Sequence, residues 1–409
     1  MPKYSLDKKK IKVLLLEGIH ENALLYFREN NYTSVELLKG ALDPDELKAK
    51  IKDVHIIGIR SRTHLTEDVL AHAKKLIAIG CFSIGTNQVD GMAAKRRGIP
   101  VFNAPFSNTR SVAEMVIAES IMLIRNIPAK NMMAHEGKWM KSASNSYEVR
   151  GKNLGIIGYG HIGTQVSVLA ESMGMNIFYY DIEKKLCMGN AQECNSLEDV
   201  LKISDIVTLH VPSTDMTRNM IGRNELHAMK EGACLINASR GDVVDYAALA
   251  SVLEEGHLNG AAVDVFKEEP ASADEPFVNE LQRFNNVILT PHIGGSTIEA
   301  QANIGLEVAE KLVKYSDNGS TLGATNFVQI ALQPNETTQR FLHIHKNLPG
   351  VLREVNYVFT SKGINIASEF LQTDPDIGYV IIDTNSELDR KILKELKNIK
   401  HTIRSRMLY

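Results

Sequence analysis

The apolar residues of this chain fall into short continuous runs separated by stretches with helical spacing. Strands buried on both faces need such runs, and crossover helices need such amphipathic stretches, so the alternation predicts parallel α/β sheets. Residues 11–16 (IKVLLL) read as a strand, 21–30 as a short helix and 35–38 as a second strand. A helix follows from Asp43, an N-cap residue with Glu46 three positions on. Residues 55–59 form a strand ending in Arg60-Ser61-Arg62-Thr63, a helix starts near Thr66, and residues 76–79 form a strand leading into Gly80. The first hundred residues therefore read as one α/β domain.

The pattern breaks at Asn103-Ala104-Pro105, and a long apolar-periodic helix over 111–125 carries the chain into a second unit opening at Gly151. Its apolar runs at 154–157, 177–180, 206–209, 233–237, 261–264 and 287–290 predict six strands, the number in a complete doubly wound sheet. A second long helix, 298–315, leads back toward the first domain. Residues 316–338 shift to Asp, Asn, Gly, Ser, Thr, Gln and Pro and read as a linker. Beyond it the order strand, helix, strand, strand, helix, strand predicts a small β-α-β-β-α-β module of ferredoxin-like type. The expected division is a substrate-binding domain of 1–108 and 299–332, a nucleotide-binding domain of 109–298 and a C-terminal module of 339–409.

Composition narrows the function classes. With 409 residues, 44% hydrophobic and 23% charged, the chain suits a globular protein of two or three domains. A net charge of −3 gives no general attraction to nucleic acid or to membranes, so an anionic ligand must meet a local basic cluster. Cys81, Cys187, Cys194 and Cys234 show neither metal-ligand nor disulfide spacing, which predicts free thiols, no metal and a cytoplasmic location. No signal peptide or membrane span is expected; the run Lys8-Lys9-Lys10 reads as a solvated approach to the first strand.

The candidate chemistry starts at the first apolar run of the second unit, which leads into Gly158-x-Gly160-x-x-Gly163 and a helix. The glycines permit a tight turn, a close backbone approach to a pyrophosphate and close helix-strand packing, while the helix N-terminus offers N–H groups to the anion. Asp181, 18 residues after Gly163, ends the next strand, where an acid binds ribose hydroxyls and repels a 2′-phosphate. The cofactor predicted is NAD.

In an open α/β sheet, ligands sit beyond the carboxyl ends of the strands. Three clusters occupy such ends. Arg240, in Ala238-Ser239-Arg240-Gly241, can clamp a carboxylate bidentately, or be a structural arginine paired with a surface acid. Asp264 leads to Glu268-Glu269-Pro270, and Thr290 to Pro291-His292-Ile293-Gly294-Gly295. His292 can take a hydroxyl proton while a neighbouring carboxylate, Glu269 with Glu268 competing, orients the ring. The third cluster is Arg60-Ser61-Arg62 with Asn108, Arg110, Lys39 and Lys141. Its guanidiniums suit a phosphate or second carboxylate, or form a solvated edge. Trp139 reads as a packing anchor, and His135, His161 and His210 carry no assigned chemistry.

In order and spacing, the motifs GYGHIGTQ, NASRGDVVD, DVFKEEP and TPHIGGST resemble those of the D-specific 2-hydroxy-acid dehydrogenases. GIRSRTHLT, IGCFSIGTNQVD, FNAPFSNTRSVAE and HIHKNLPGVL extend the resemblance along essentially the whole chain. It implies a flavodoxin-like substrate domain, a Rossmann NAD domain and a C-terminal ACT domain. It implies Arg240, Glu269 and His292 as the catalytic set, with cofactor contacts at Gly158, Gly160, His161, Ile162, Gly163, Asp181, Ala238, Ser239, Arg240, Asp264, His292, Ile293, Gly294 and Gly295. Arg60, Ser61, Arg62, Asn108 and Lys141 would bind substrate. The activity implied is NAD-dependent oxidation of 3-phospho-D-glycerate to 3-phosphohydroxypyruvate, the first step of L-serine biosynthesis, with 2-oxoglutarate reduction as a secondary activity. L-serine would act as feedback effector at His345, Asn347 and Asn365 of a homotetramer. Relatives carry a Gly-Gly pair before the tail, where this chain has Gln333-Pro334-Asn335-Glu336-Thr337-Thr338, a stiffer stretch. The alternatives are another D-2-hydroxy-acid dehydrogenase, or a non-catalytic NAD-sensing scaffold, which the intact Arg/Glu/His set disfavours.

Overall fold

The computed structural model describes residues 6–270, 275–333, 339–385 and 390–408, with the apolar runs assembled into three sheets. The first contains β1 (Val13–Leu15), β2 (Val35–Leu37), β3 (Ile56–Ile59), β4 (Ala78–Cys81) and β5 (Val101–Phe102), all parallel, in the order β2-β1-β3-β4-β5. This is the flavodoxin-like order, whose connections part between β1 and β3. The two-residue β5 is too short to leave a pattern in the sequence.

The second sheet comprises β6 (Asn153–Ile157), β7 (Asn176–Tyr180), β8 (Gln192–Glu193), β9 (Ile206–Leu209), β10 (Cys234–Asn237), β11 (Gly260–Val263) and β12 (Val287–Leu289). Its order is β12-β11-β10-β9-β6-β7-β8, all parallel, with the crossover between β6 and β9. The expected count of six is corrected to seven. The extra strand, β8, is an exposed Gln-Glu pair on the sheet edge, where no apolar run is needed to bury it.

The third sheet is antiparallel: β13 (Gln339–Lys346), β14 (Ile366–Thr373), β15 (Ile377–Thr384) and β16 (Thr402–Met407), in the order β14-β15-β13-β16. With helices Val351–Thr360 and Arg390–Asn398 it is the ferredoxin-like module. One face of the amphipathic Val351–Thr360 helix supplies Val351, Val355 and Phe359 to a core with Phe341, Val380 and Ile382.

The chain divides into two compact units, Met1–Ser107 with Gln301–Tyr409, and Asn108–Ala300. The C-terminal sheet belongs to the first unit. Leu342, Ile344, Tyr379 and Ile381 share a core with Val13, Leu15 and Phe102 of the first sheet and with Val308, Leu312 and Tyr315 of the Ile298–Asn318 helix. Polar ties reinforce it. Tyr379 Oη donates to the Gly319 carbonyl (2.6 Å), and Lys95 Nζ lies 2.7 Å from both Asp374 and Asp376. Arg340 pairs bidentately with buried Asp383 (2.7 and 2.8 Å) and donates to the Asn318 carbonyl. Of the stretch expected as a stiff linker, Pro334 to Thr338 lies outside the described residues.

All four cysteines are free, with Cys81 and Cys234 buried. Among the described residues no helix is long and apolar enough to cross a membrane, and no group of three or more His, Cys, Asp or Glu could hold a metal ion.

Candidate active site

The Asn108–Ala300 unit collects its chemistry at the carboxyl ends of its strands. At the end of β6, Gly158 has φ +90°, and a Cβ there would lie 2.4 Å from the His210 carbonyl oxygen, so only glycine fits. A Cβ on Gly163 would lie 2.3 Å from the Gly158 carbonyl oxygen. Around Gly160, by contrast, a Cβ would meet nothing within 4 Å. This open approach leads to the N-terminus of the His161–Ser172 helix, which no side chain caps. An open glycine before uncapped helical N–H groups fits a pyrophosphate. Asp181 completes the fit: its Oδ2 accepts from Tyr159 N (2.8 Å) and its Oδ1 from Glu183 N (2.9 Å), which fixes the carboxylate beside the loop. His161 is exposed and Ile162 half-buried on the first turn of the helix.

Glu269, following β11, and His292, following β12, meet directly. His292 Nδ1 lies 3.0 and 2.9 Å from the two Glu269 carboxylate oxygens, so Nδ1 carries the hydrogen and Nε2 is left to exchange a proton. The bond to Glu269 holds the His292 pKa above its ordinary value of 6.5; burial and the Arg240 charge oppose it, and the charges of Glu269 and Asp264 add to it. Burial pushes the Glu269 pKa up, but the bond and charge of His292, with a bond from Phe266 N, bring it below its ordinary value of 4.5. His292 sits in the left-handed region at φ +53°, a conformation costing a non-glycine residue roughly 1–3 kcal/mol. Asp264 provides the support. Its buried carboxylate accepts from Thr290 Oγ1 (2.6 Å), Ile293 N (2.8 Å) and Gly294 N (2.9 Å), pinning the loop on both sides of His292.

Arg240 is half-buried after β10, and its Nη1 donates to the Ser239 carbonyl (2.6 Å). Residues without an assigned role shape this corner. Asn237 accepts from Ser239 N and Oγ and donates to the Arg240 carbonyl and to Tyr246 Oη, which donates to the Val265 carbonyl (2.6 Å). A Cβ on Gly241 would lie 2.1 Å from the Phe266 backbone, so this glycine allows the arginine loop to close on the strand end that carries Glu269. Tyr246 leaves no local signal in the sequence, because its acceptor at Val265 is brought to it by the pairing of β10 with β11.

Asn108, at the start of the Thr109–Ile124 helix, packs its amide against Gly295, where a Cβ would lie 2.5 Å away. It thus joins the His292 loop. Lys141 is exposed on the stretch after the Ile127–His135 helix, and Arg110 is ion-paired with Glu114 on its own helix. Glu119, on the same helix, escaped notice in the sequence. It is 2% exposed, with neither carboxylate oxygen hydrogen-bonded among the described residues, and burial, then the charge of Asp264, pushes its pKa up to about 8.

In the first unit a turn follows β3, and Arg60 and Arg62 on it line a cavity of about 220 Å³ with Ser61, Lys39 and Glu17. In the C-terminal module His345 is 3% exposed, its Nδ1 3.3 Å from that of His343 and its ring against Gly378. Asn347 is exposed and donates to the Asp374 carbonyl (2.7 Å), and Asn365 is exposed.

The model of the D-isomer specific 2-hydroxyacid dehydrogenase NAD binding domain matches residues 117–294, and that of the AHAS small subunit-like ACT domain matches 341–404. The chain is 58% identical over 407 residues to D-3-phosphoglycerate dehydrogenase of Haemophilus influenzae, covering 100% of this chain and 99% of the relative. It is also 58% identical over 411 residues to D-3-phosphoglycerate dehydrogenase of Escherichia coli K12, covering 100% of both. Among solved structures, D-lactate dehydrogenase from Aquifex aeolicus, complexed with NAD and lactic acid, matches with a TM-score of 0.65 at 26% identity, over 74% of this chain and 95% of its own.

Proposed function

The chain belongs to the D-isomer specific 2-hydroxyacid dehydrogenases, and on that premise we propose that it oxidises 3-phospho-D-glycerate at C2 to 3-phosphohydroxypyruvate, the first step of L-serine biosynthesis. The observation that carries the chemistry is the His292–Glu269 pair on adjacent strand ends of the sheet that bears the glycine loop. NAD, when bound, supplies the hydride acceptor. His292 Nε2 takes the proton of the C2 hydroxyl as the hydride leaves the same carbon. Glu269, bonded to Nδ1, fixes the ring and balances the imidazolium that forms. Arg240 binds the substrate carboxylate, a task its planar donor fork suits.

The glycine loop, with His161 and Ile162, takes the pyrophosphate and Asp181 the adenosine ribose. Ala238, Ser239, Arg240, Asp264 and His292 to Gly295 make the remaining cofactor contacts. Arg60, Ser61 and Arg62 take the substrate phosphate, with Asn108 and Lys141 as further contacts. The ACT match supports an amino-acid effector, which we assign as L-serine at His345, Asn347 and Asn365 of a homotetramer. The division into domains at 108/109, 298/299 and 332/339, a cytoplasmic location and a secondary reduction of 2-oxoglutarate belong to the same reading.

One experiment tests the whole. NADH formation or consumption is followed with 3-phosphoglycerate, unphosphorylated 2-hydroxy acids and 2-oxoglutarate, with and without L-serine. The reading expects 3-phosphoglycerate to give the highest kcat/KM and serine to lower it. A preference for an unphosphorylated hydroxy acid would overturn it.

A further inference from the structure

In a doubly wound sheet the ligand crevice lies where the connections part, which in the first sheet is between β1 and β3. At that point the turn after β3 aims the backbone N–H groups of Arg60, Arg62 and Thr63 at one spot. Converging backbone N–H groups form a ready anion site. Here the chain fills it with its own anion. Glu17 Oε1 accepts from Arg60 N (3.1 Å) and Thr63 N (2.9 Å), and Oε2 accepts from Arg62 N (2.9 Å). Glu17 is 9% exposed and reaches the nest from the end of β1 on a left-handed backbone, φ +62°. The side chains of Lys39, Arg60 and Arg62 surround the adjoining cavity. Three cations against one carboxylate leave that cavity two positive charges in excess, matching a phosphate monoester near its dianionic form.

We infer that Glu17 is a specificity-determining positioning residue: it closes the backbone N–H groups of Arg60, Arg62 and Thr63 to small inorganic anions and props the turn, so that a phosphorylated substrate is recognised by side chains rather than by that nest. Free phosphate, excluded from the nest, then gains only the side chains around the cavity, whereas the substrate adds the contacts of its carboxylate and hydroxyl. The identity of the substrate rests on the phosphoglycerate reading; the blocked nest rests on the geometry of the first unit.

The test is the affinity of the full-length protein for inorganic phosphate, measured by calorimetry without substrate and as competitive inhibition against 3-phosphoglycerate. Glu17→Ala removes a buried negative charge and frees three N–H donors, so phosphate is expected to bind about tenfold tighter or more. The KM for 3-phosphoglycerate should rise severalfold while kcat changes little, a split that a merely destabilised protein would not show. Phosphate affinity equal to or weaker than wild type, in a variant with intact NADH binding and Tm, overturns the inference. Should Glu17→Ala fail to fold, Glu17→Gln keeps the shape and loses the charge; a threefold or so gain in phosphate affinity is then expected, and no gain overturns it. If wild type does not turn over 3-phosphoglycerate yet Glu17→Ala gains phosphate, the blocked nest stands and the substrate reading falls. If wild type is active and phosphate affinity is unchanged, only the present inference falls.

Discussion

Replacing Glu269 with glutamine keeps the side chain's shape and removes the charge that raises the proton affinity of His292. The carboxylate oxygens lie 3.0 and 2.9 Å from Nδ1. Unit charges at that separation interact with about 5–6 kcal/mol at an effective dielectric constant near 20. The histidine side chain is 52% and the glutamate 38% exposed, so water screens most of this, but the direction is fixed: losing the carboxylate lowers the His292 pKa. The sign follows from the chemistry. Oxidation needs His292 unprotonated, so kcat/KM should climb as pH rises through an apparent pKa above 6.5 and then level off. Reduction needs it protonated and should fall over the same range. In Glu269→Gln the oxidative limb should move toward acid, because the bond and charge that raise the pKa are gone. The plateau should drop by roughly 10²-fold or more, because the amide no longer balances the imidazolium and leaves the ring poorly oriented. The assay is the initial rate of NADH formation at constant ionic strength across neutral and alkaline pH. A limb that stays in place or moves toward alkali, or a plateau within a few-fold of wild type, refutes the coupling. The apparent pKa belongs to the pair, not to either residue alone.

His292→Ala should lose about 10²–10⁴-fold in turnover while NADH fluorescence titrations give an unchanged Kd; normal turnover would remove the acid–base role. Glu119 offers a stability test. Its folded pKa of about 8 against an ordinary 4.5 means that the stability held by the protonated form is complete in acid and lost as pH rises through 8, a span of up to about 5 kcal/mol. The neutral isostere in Glu119→Gln should therefore match wild type in acid and exceed it in alkali by urea unfolding; parallel pH profiles would contradict this. Asp383→Ala should cost about 3–5 kcal/mol by leaving the Arg340 guanidinium buried and unpaired. A loss below about 1 kcal/mol in chemical denaturation, the range of an exposed pair, would show that the pair does not stabilise the C-terminal sheet.

How far the sequence could be read depended on whether partners are neighbours in the chain. The glycine loop was legible because its turn, its crowding and its open approach are properties of consecutive residues. Strand ends were legible because parallel strands buried on both faces are continuous apolar runs, and His292 and Glu269 follow directly on two of them. β8 was not, since an exposed edge needs no apolar residues. Nor was the packing of the C-terminal sheet with the first unit. That packing places Ile344 and Tyr379 in a core with β1 and the Ile298–Asn318 helix, and the same alternation on β13 and β15 would serve a free-standing module equally well. His345 shows the limit most clearly. The resemblance implies a ligand contact there, while the cross-strand glycine against which its ring lies, Gly378, and the burial that holds its pKa below the ordinary value leave no local signal.

Three carboxylates in this chain share a task that no local motif announces. Asp181 holds Tyr159 N of the glycine loop, Asp264 holds Ile293 and Gly294 N around His292, and Glu17 holds the turn of Arg60 to Thr63. Each stands at or just beyond the end of a strand, and each takes N–H groups from a loop distant in sequence but adjacent across the sheet. Burying a carboxylate is costly, but a charge-assisted hydrogen bond returns about 1.5–3 kcal/mol, so two or three of them can hold a loop in a conformation that its residues resist. The left-handed backbone of His292 is such a conformation. A loop left free would instead have to be ordered when ligand binds, at roughly 1–2 kcal/mol per residue, and that cost would come directly out of the binding energy. On the proposed reading, fixing the loops beforehand would present the His292 base and the Arg60 and Arg62 side chains ready for use. The strand-end acids thus hold the neighbouring loops still, whatever else they bind.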